Sequence, residues 1–260
     1  MEEAGVRHYP GKPLRVYLFG TCLIDLFCPD AGIDAVRLLE REGIEVLFPA
    51  DQTCCGQPAH SSGFPEQTRA VALAQLRLFP EPWPVIVPSG SCAGMMRHHY
   101  PKIFADEPRL LAEAMALAER IFELSEFLVH VAKVSLSDRG ASVCVALHTS
   151  CAARREMATH LHARALLAQL PGVDVSLHEH ESECCGFGGT FSLKHPAISS
   201  AMAADKVEAL KETGAETFLS ADCGCLLNLN HTLEKRGDTF RGQHLASFLW
   251  SRTNDEGSRR

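Results

Sequence analysis

The sequence has no run of basic residues and no interleaving of aromatic with basic side chains. Lys and Arg total 25 against 32 Asp and Glu, so the formal net charge is −7 and a nucleic-acid backbone is a poor partner. No stretch approaches 18 apolar residues, so no membrane-spanning helix is expected. The first residues, Met1-Glu2-Glu3-Ala4-Gly5, lack the basic region and apolar run of a secretory leader. These features together lead us to expect a cytoplasmic protein, peripheral to a membrane only through a partner. Nucleotide-loop signals are missing too. The run Gly186-Phe187-Gly188-Gly189 has neither the Gly-x-Gly-x-x-Gly spacing nor a Lys-Ser/Thr pair.

What the sequence does have is cysteine, eleven in 260 residues. An odd count in a chain expected to stay in a reducing compartment argues for metal binding or redox chemistry rather than a disulfide framework. The cysteines are also patterned. Cys22, Cys54-Cys55-Gly56 and Cys92 in the first half face Cys151, Cys184-Cys185-Gly186, Cys223 and Cys225 in the second. Passing from Cys22 to Cys151, Cys54 to Cys184 and Cys92 to Cys223 takes 129, 130 and 131 residues, which marks an internal repeat.

Short apolar, β-branched or aromatic runs precede each of these cysteines. They are 14–19 and 142–147, 44–48 and 173–177, and 85–87 and 217–219, all of which read as strands. Helical spacing covers 31–42, 65–79, 152–169, 196–212 and 225–236, with 108–132 the longest candidate. Strands alternating with helices imply an α/β chain of two similar βαβ-type halves, 1–135 and 136–260, with a polar junction at 135–142. Every cysteine of the pattern follows a strand. Ligands of parallel sheets sit beyond strand C-terminal ends, so one site in each half is expected.

Adjacent cysteines have Cα atoms about 3.8 Å apart, too close for an ordinary disulfide with each other. On a turn opened by Gly56 or Gly186 they can present two thiolates to one metal centre. Backbone N–H groups of Gly188 and Gly189 are further candidate donors to sulfur. Four thiolates per half suit an iron–sulfur cluster and also suit tetrahedral zinc. Wide spacing around a doublet fits the larger centre better, and unmetallated thiols are a third reading. Cys144 reads as a buried small hydrophobe in a strand, and Cys28 lies outside the repeat. Among the thirteen histidines, His148, three residues before Cys151, is the best candidate to support a ligand shell.

The pattern from Cys22 through Cys54-Cys55-Gly56 to Cys92 resembles the cysteine-rich CCG domain. That domain occurs twice in the catalytic subunit of heterodisulfide reductase and also in glycolate oxidase iron–sulfur subunits. Longer motifs narrow the likeness. Gly20-Thr21-Cys22-Leu23-Ile24-Asp25, Thr53-Cys54-Cys55-Gly56-Gln57-Pro58-Ala59, Ser89-Gly90-Ser91-Cys92 and Glu183-Cys184-Cys185-Gly186-Phe187-Gly188-Gly189-Thr190-Phe191 resemble the lactate-utilisation protein A family over nearly the whole chain.

The resemblance implies an iron–sulfur electron-transfer subunit of an L-lactate-oxidising complex, working with a ferredoxin-like iron–sulfur subunit and a third small subunit. It implies one or two iron–sulfur clusters, 4Fe-4S in type, with zinc in one half as the alternative. The implied ligands are Cys22, Cys54, Cys55, Cys92, Cys151, Cys184, Cys185, Cys223 and Cys225. A thiol–disulfide reductase of the heterodisulfide type is the second function, and a zinc-stabilised interaction module the third. The chain departs from the broad CCG pattern, which ends Cys-x-x-Cys: Met95 stands at that place in the first half, and Cys223-Gly224-Cys225 is shorter in the second. The repeat selects Cys223 and the narrower Asp-x-Gly-Cys-Leu pattern selects Cys225, so both remain candidates.

Overall fold

The computed structural model describes residues 7–254. Its strands are β1 (Arg15–Leu18), β2 (Glu45–Leu47), β3 (Val85–Val87), β4 (Ile121–Glu123), β5 (Val143–Leu147), β6 (Val173–Ser176), β7 (Thr217–Ser220) and β8 (Gly242–His244). They form two four-stranded sheets of order β2-β1-β3-β4 and β6-β5-β7-β8. All pairings are parallel. In each sheet the order reverses between the first and third strands, so loops leaving their C-terminal ends diverge and open a crevice. The α/β class and the two similar halves read from the sequence are those observed.

The inner strands carry the apolar runs. Val85, Ile86 and Val87 are all fully buried, as a strand covered on both faces requires. The helices follow the same logic. Helix Pro29–Arg41 starts on proline, ends on a basic residue and buries Ala31, Ala35, Leu38 and Leu39 along one face. Helix Pro196–Glu212 coincides with the expected 196–212.

Two strands were invisible to periodicity. The expected helix 108–132 is helical over Pro108–Arg120, then turns extended at Ile121 into β4 and resumes at Leu124. Glu123 restarts the chain as a capping box, its carboxylate accepting from the Ser125 and Glu126 amides. The second is β8, Gly-Gln-His, which pairs with β7 through its backbone. Gly242 is required there because the Phe218 ring occupies the space a Cβ would need. The expected helix 152–169 breaks at Ala158, whose φ is 49°, between Cys151–Met157 and Thr159–Leu167.

The two sheets share one apolar core. Val16, Leu38, Phe122 and Phe127 pack in a single cluster with Val145, Leu166, Leu219 and Phe248. Arg41 ties helix Pro29–Arg41 to helix Leu245–Thr253 through Thr253 Oγ1 at 2.7 Å. Helix Gly90–Gly94 lies directly against helix Cys151–Met157. A Cβ at Gly90 would overlap the Ala153 methyl and stand 2.8 Å from Thr159 Cγ2. No helix among the described residues is long and apolar enough to cross a membrane.

Candidate metal centre

The strand ends present the cysteines in the same order in both halves. Cys22 and Cys151 are each the first residue of the helix after the first strand, Cys22–Phe27 and Cys151–Met157. Each doublet lies on the turn after the second strand. Cys92 is the third residue of Gly90–Gly94 and Cys225 the third of Cys223–Lys235, the helices after the third strands. By position in the fold, Cys92 therefore corresponds to Cys225, and Cys223 corresponds to Gly90.

The doublets depend on the glycines that follow them. Gly56 has φ +87° and Gly186 φ +83°, in the left-handed region glycine tolerates. That turn aims the Gly56 N–H at Cys54 Sγ and the Gly186 N–H at Cys184 Sγ, both at 3.4 Å. The glycine after each doublet thus donates to the first sulfur of the pair, and the Phe187 amide donates to Cys185. Gly188 and Gly189, the expected donors, line the cavity wall at positive φ.

In the first set the thiols hydrogen-bond in a chain, Cys22 to Cys54, Cys54 to Cys55 and Cys55 to Cys92. In the second, Cys151 meets Cys184, Cys184 meets Cys185, and Cys185 Sγ lies 3.1 Å from Cys225 Sγ. Hydrogen bonds from Cys22 and Cys55, with the Gly56 amide, hold the Cys54 thiol down at about 3. The same contact with Cys54, followed by burial, drives the Cys22 thiol upward. Hydrogen bonding to Cys54 and Cys92, followed by burial, raises Cys55. The crowded sulfurs of the first set thus favour one thiolate, Cys54, over its neighbours, whereas in the second set all four thiols are raised. A multivalent positive centre reverses that balance by stabilising all four thiolates.

The two sets share one space. A cavity of about 350 Å³ is lined by Cys22, Cys54, Cys55 and Cys92 and also by Cys151, Cys184, Cys185, Cys223 and Cys225. The sequence pointed to one site in each half, and the cysteine sets of the two halves face a common void. Leu23, Pro58 and Phe187 supply apolar wall. The seam is held by Asp222 Oδ1 of the second half, which accepts from Ser89 Oγ at 2.9 Å, Ser91 N at 3.1 Å and Ser91 Oγ at 2.6 Å. A Ser62–Thr190 hydroxyl hydrogen bond crosses the same seam.

His148 stands against the second set. It is fully buried, and neither ring nitrogen has a hydrogen-bond partner. Its ligand atom and those of Cys185 and Cys225 lie within 4.8 Å of one another. Burial, with smaller effects of Lys206 and His178, pulls the imidazole down to about 3, so it is neutral. The corresponding residue of the first half, one past the strand, is Phe19. An orphaned neutral imidazole beside the Cys185 and Cys225 sulfurs fits a metal or sulfide-rich group as neighbour.

The remaining cysteines separate from these sets. Cys144 is half-buried on β5, with Sγ 3.2 Å from Ser176 Oγ and outside the cavity. Met95 is buried in the core of the first half and also lies outside the cavity lining. Cys223 is joined to Cys28 by a disulfide. Sequence reasoning missed this pair because Cys28 has no counterpart in the repeat. It also missed the seam contacts of Asp222, Ser89 and Ser91, which the sequence showed only as parts of family motifs.

The duplicated α/β halves, with cysteines after the first three strands, define a protein of two cysteine-rich domains. The CCG cysteine-rich domain family matches residues 16–97 and 145–230. Lactate utilization protein A of Shouchella clausii is 43% identical over 92% of this chain and 100% of its own length. Its namesake in Bacillus subtilis is 40% identical, again over 92% of this chain and 100% of its own length. The chain belongs to the lactate utilization protein A family. A crystal structure of a hypothetical protein from Helicobacter pylori has the same fold, with a TM-score of 0.68 at 11% identity. The match covers 97% of this chain and 51% of that one.

Proposed function

We propose that this chain is the iron–sulfur electron-transfer subunit of an L-lactate-oxidising complex, acting with a ferredoxin-like iron–sulfur subunit and a third small subunit. The observation that carries the reading is the convergence of two four-thiol sets on one cavity. The sets are Cys22, Cys54, Cys55 and Cys92, and Cys151, Cys184, Cys185 and Cys225. Each offers the four thiolates a 4Fe-4S cluster takes. Such clusters, when bound, accept and release single electrons.

The protein's own groups do the rest. The Gly56 and Gly186 amides donate to sulfur and favour the more negative, reduced state. His148 adds a neutral polar group to the second set only, which makes the two sets unequal. Leu23, Pro58 and Phe187 give the cavity an apolar wall beside the sulfurs. Because both sets border one void, no layer of protein separates a donor from an acceptor placed in them. The lactate role and the partners are supported by the family relationship, and a cytoplasmic location agrees with the sequence.

Anaerobically prepared protein is expected to contain iron and acid-labile sulfide, with charge-transfer absorption lost in air. Cys54→Ser and Cys184→Ser should each lose one centre. Cys144→Ala should keep both and cost roughly 1 kcal/mol of packing. Stoichiometric zinc without sulfide overturns the reading in favour of a zinc-stabilised interaction module.

A second reading rests on the volume of the cavity. About 350 Å³ with apolar walls can admit a small substrate between the two sets, which favours a thiol–disulfide reductase of the heterodisulfide type. Reduced Cys28→Ser protein that still consumes a small mixed disulfide, with thiols appearing at two per disulfide, would select it.

A further inference from the structure

We propose that Cys28 and Cys223 form a redox-active dithiol–disulfide site, distinct from the two ligand sets, that exchanges two electrons with small disulfides and dithiols. The proposal rests on the metal reading only in leaving Cys223 outside the second set.

Helix geometry separates the pair from the ligands. Successive helical residues turn about 100°, so Cys223 and Cys225 point about 200° apart and cannot offer sulfur to one point. Cys225 takes the inward direction, 3.1 Å from Cys185 Sγ. Cys223 turns toward the first half, where it is bonded to Cys28 and its sulfur lies 3.4 Å from the Leu23 carbonyl. The two cysteines are 195 residues apart in sequence with Cα atoms 6.7 Å apart, within disulfide reach, so the fold itself creates the pair. The first half has no equivalent, since Gly90 holds the place of Cys223.

The surroundings suit thiol exchange. Cys28 is the residue that caps helix Pro29–Arg41, and its side chain makes no capping hydrogen bond. Cys223 is the first residue of helix Cys223–Lys235. Both helices are thirteen residues long, and a helix N-terminus favours negative charge, here an attacking or departing thiolate. Access is unequal. Cys28 is half-buried, while Cys223 is 2% exposed.

An incoming disulfide RSSR therefore meets Cys28 first. The Cys28 thiolate forms a mixed disulfide and releases one RS⁻. Cys223 then attacks the Cys28 sulfur, closes the protein disulfide and releases the second RS⁻. The two thiol protons pass to the two released thiolates, so the pair is oxidised by two electrons and RSSR is reduced to two RSH. A dithiol reverses the sequence. Closing the bond joins helix Cys22–Phe27, at whose end Cys28 lies, to the helix carrying Cys225. A ligand-bearing helix of each set is thereby fixed to the other.

The test uses the full chain, prepared anaerobically with its metal in place. Oxidised glutathione is added in large excess, free thiols are alkylated, and digested peptides are read by mass spectrometry. The expected product is a Cys28–Cys223 linked peptide pair, with iron content unchanged and the link removed by dithiothreitol. In dithiothreitol redox buffers the native chain should show one two-electron transition that Cys28→Ser lacks, while Cys28→Ser keeps its iron. Cys28 and Cys223 both alkylated after glutathione treatment would overturn the proposal. So would loss of second-set iron in Cys223→Ser, which makes Cys223 a ligand and leaves the iron–sulfur reading standing. Failure of the iron–sulfur reading shows separately, as protein without iron and sulfide before any treatment.

Discussion

Asp222 Oδ1 lies 2.6 Å from Ser91 Oγ, joining the helix that carries Cys225 to the helix that carries Cys92. The same oxygen accepts from Ser89 Oγ and the Ser91 amide, while Oδ2 is buried without a partner. One carboxylate thus sets the spacing of the third cysteines of both sets. Asp222→Ala removes the acceptor and leaves buried donors unpaired, which should cost roughly 2–3 kcal/mol in urea unfolding. Asp222→Asn keeps an acceptor and should cost less. Equal stability of both variants and the native chain would show that the seam is held elsewhere.

The two doublet glycines should differ in tolerance. Gly56→Ala meets Val71 Cγ1 at 3.4 Å and bears mainly the left-handed backbone, about 1–2 kcal/mol. Gly186→Ala bears the same and also drives its Cβ to 2.6 Å from the Ser199 carbonyl oxygen. Thermal unfolding should rank native, Gly56→Ala, Gly186→Ala in falling order. The reverse order would mean that the backbone of helix Pro196–Glu212 yields readily.

Glu123 gives the protein a pH dependence of definite sign. Full burial raises its carboxyl from 4.5 to about 7, against the pull of Ser125 and Glu126. Between these values the folded chain holds a proton that the unfolded chain has released, so stability falls as pH rises through the window. The whole effect is on the order of 3 kcal/mol. Glu123→Gln, which keeps an acceptor for the Ser125 amide, should flatten this part of the profile. An unchanged slope between pH 5 and 7, measured by urea unfolding, would assign the dependence to other groups.

His148→Phe copies the first half, where Phe19 holds the equivalent place. Removal of a neutral donor beside Cys185 and Cys225 should make the second centre harder to reduce, while iron content stays the same. A redox titration followed by electron paramagnetic resonance reads the shift. Loss of iron instead would make His148 a ligand.

The sequence showed the repeat, the three strands that carry cysteines in each half, and the doublet turns, because local chemistry marks them. Apolar runs, β-branched residues and Cys-Cys-Gly all signal within a few residues. The fourth strands did not. Ile121-Phe122-Glu123 continues the apolar stripe of the preceding helix, and Gly242-Gln243-His244 has no β-branched residue; each is a strand because a neighbour waits to pair with it. The shared cavity was equally hidden, since it depends on how two sheets meet. The choice between Cys223 and Cys225 turned on counting. Offsets measured along the chain favour Cys223, but the stretch from the doublet to the helix after the third strand is longer in the second half, and position within the helix is what aims a sulfur.

Gly90 has a consequence for how such a duplicated protein can change. Where helix Gly90–Gly94 meets helix Cys151–Met157, the missing side chain is the fitting tolerance of a joint. A single methyl there would act as a shim, levering apart the strand ends that bear Cys92 and Cys151. The distance between the two sulfur sets is therefore machined by an empty position, and the copies, free to drift elsewhere, are geared together at that tooth.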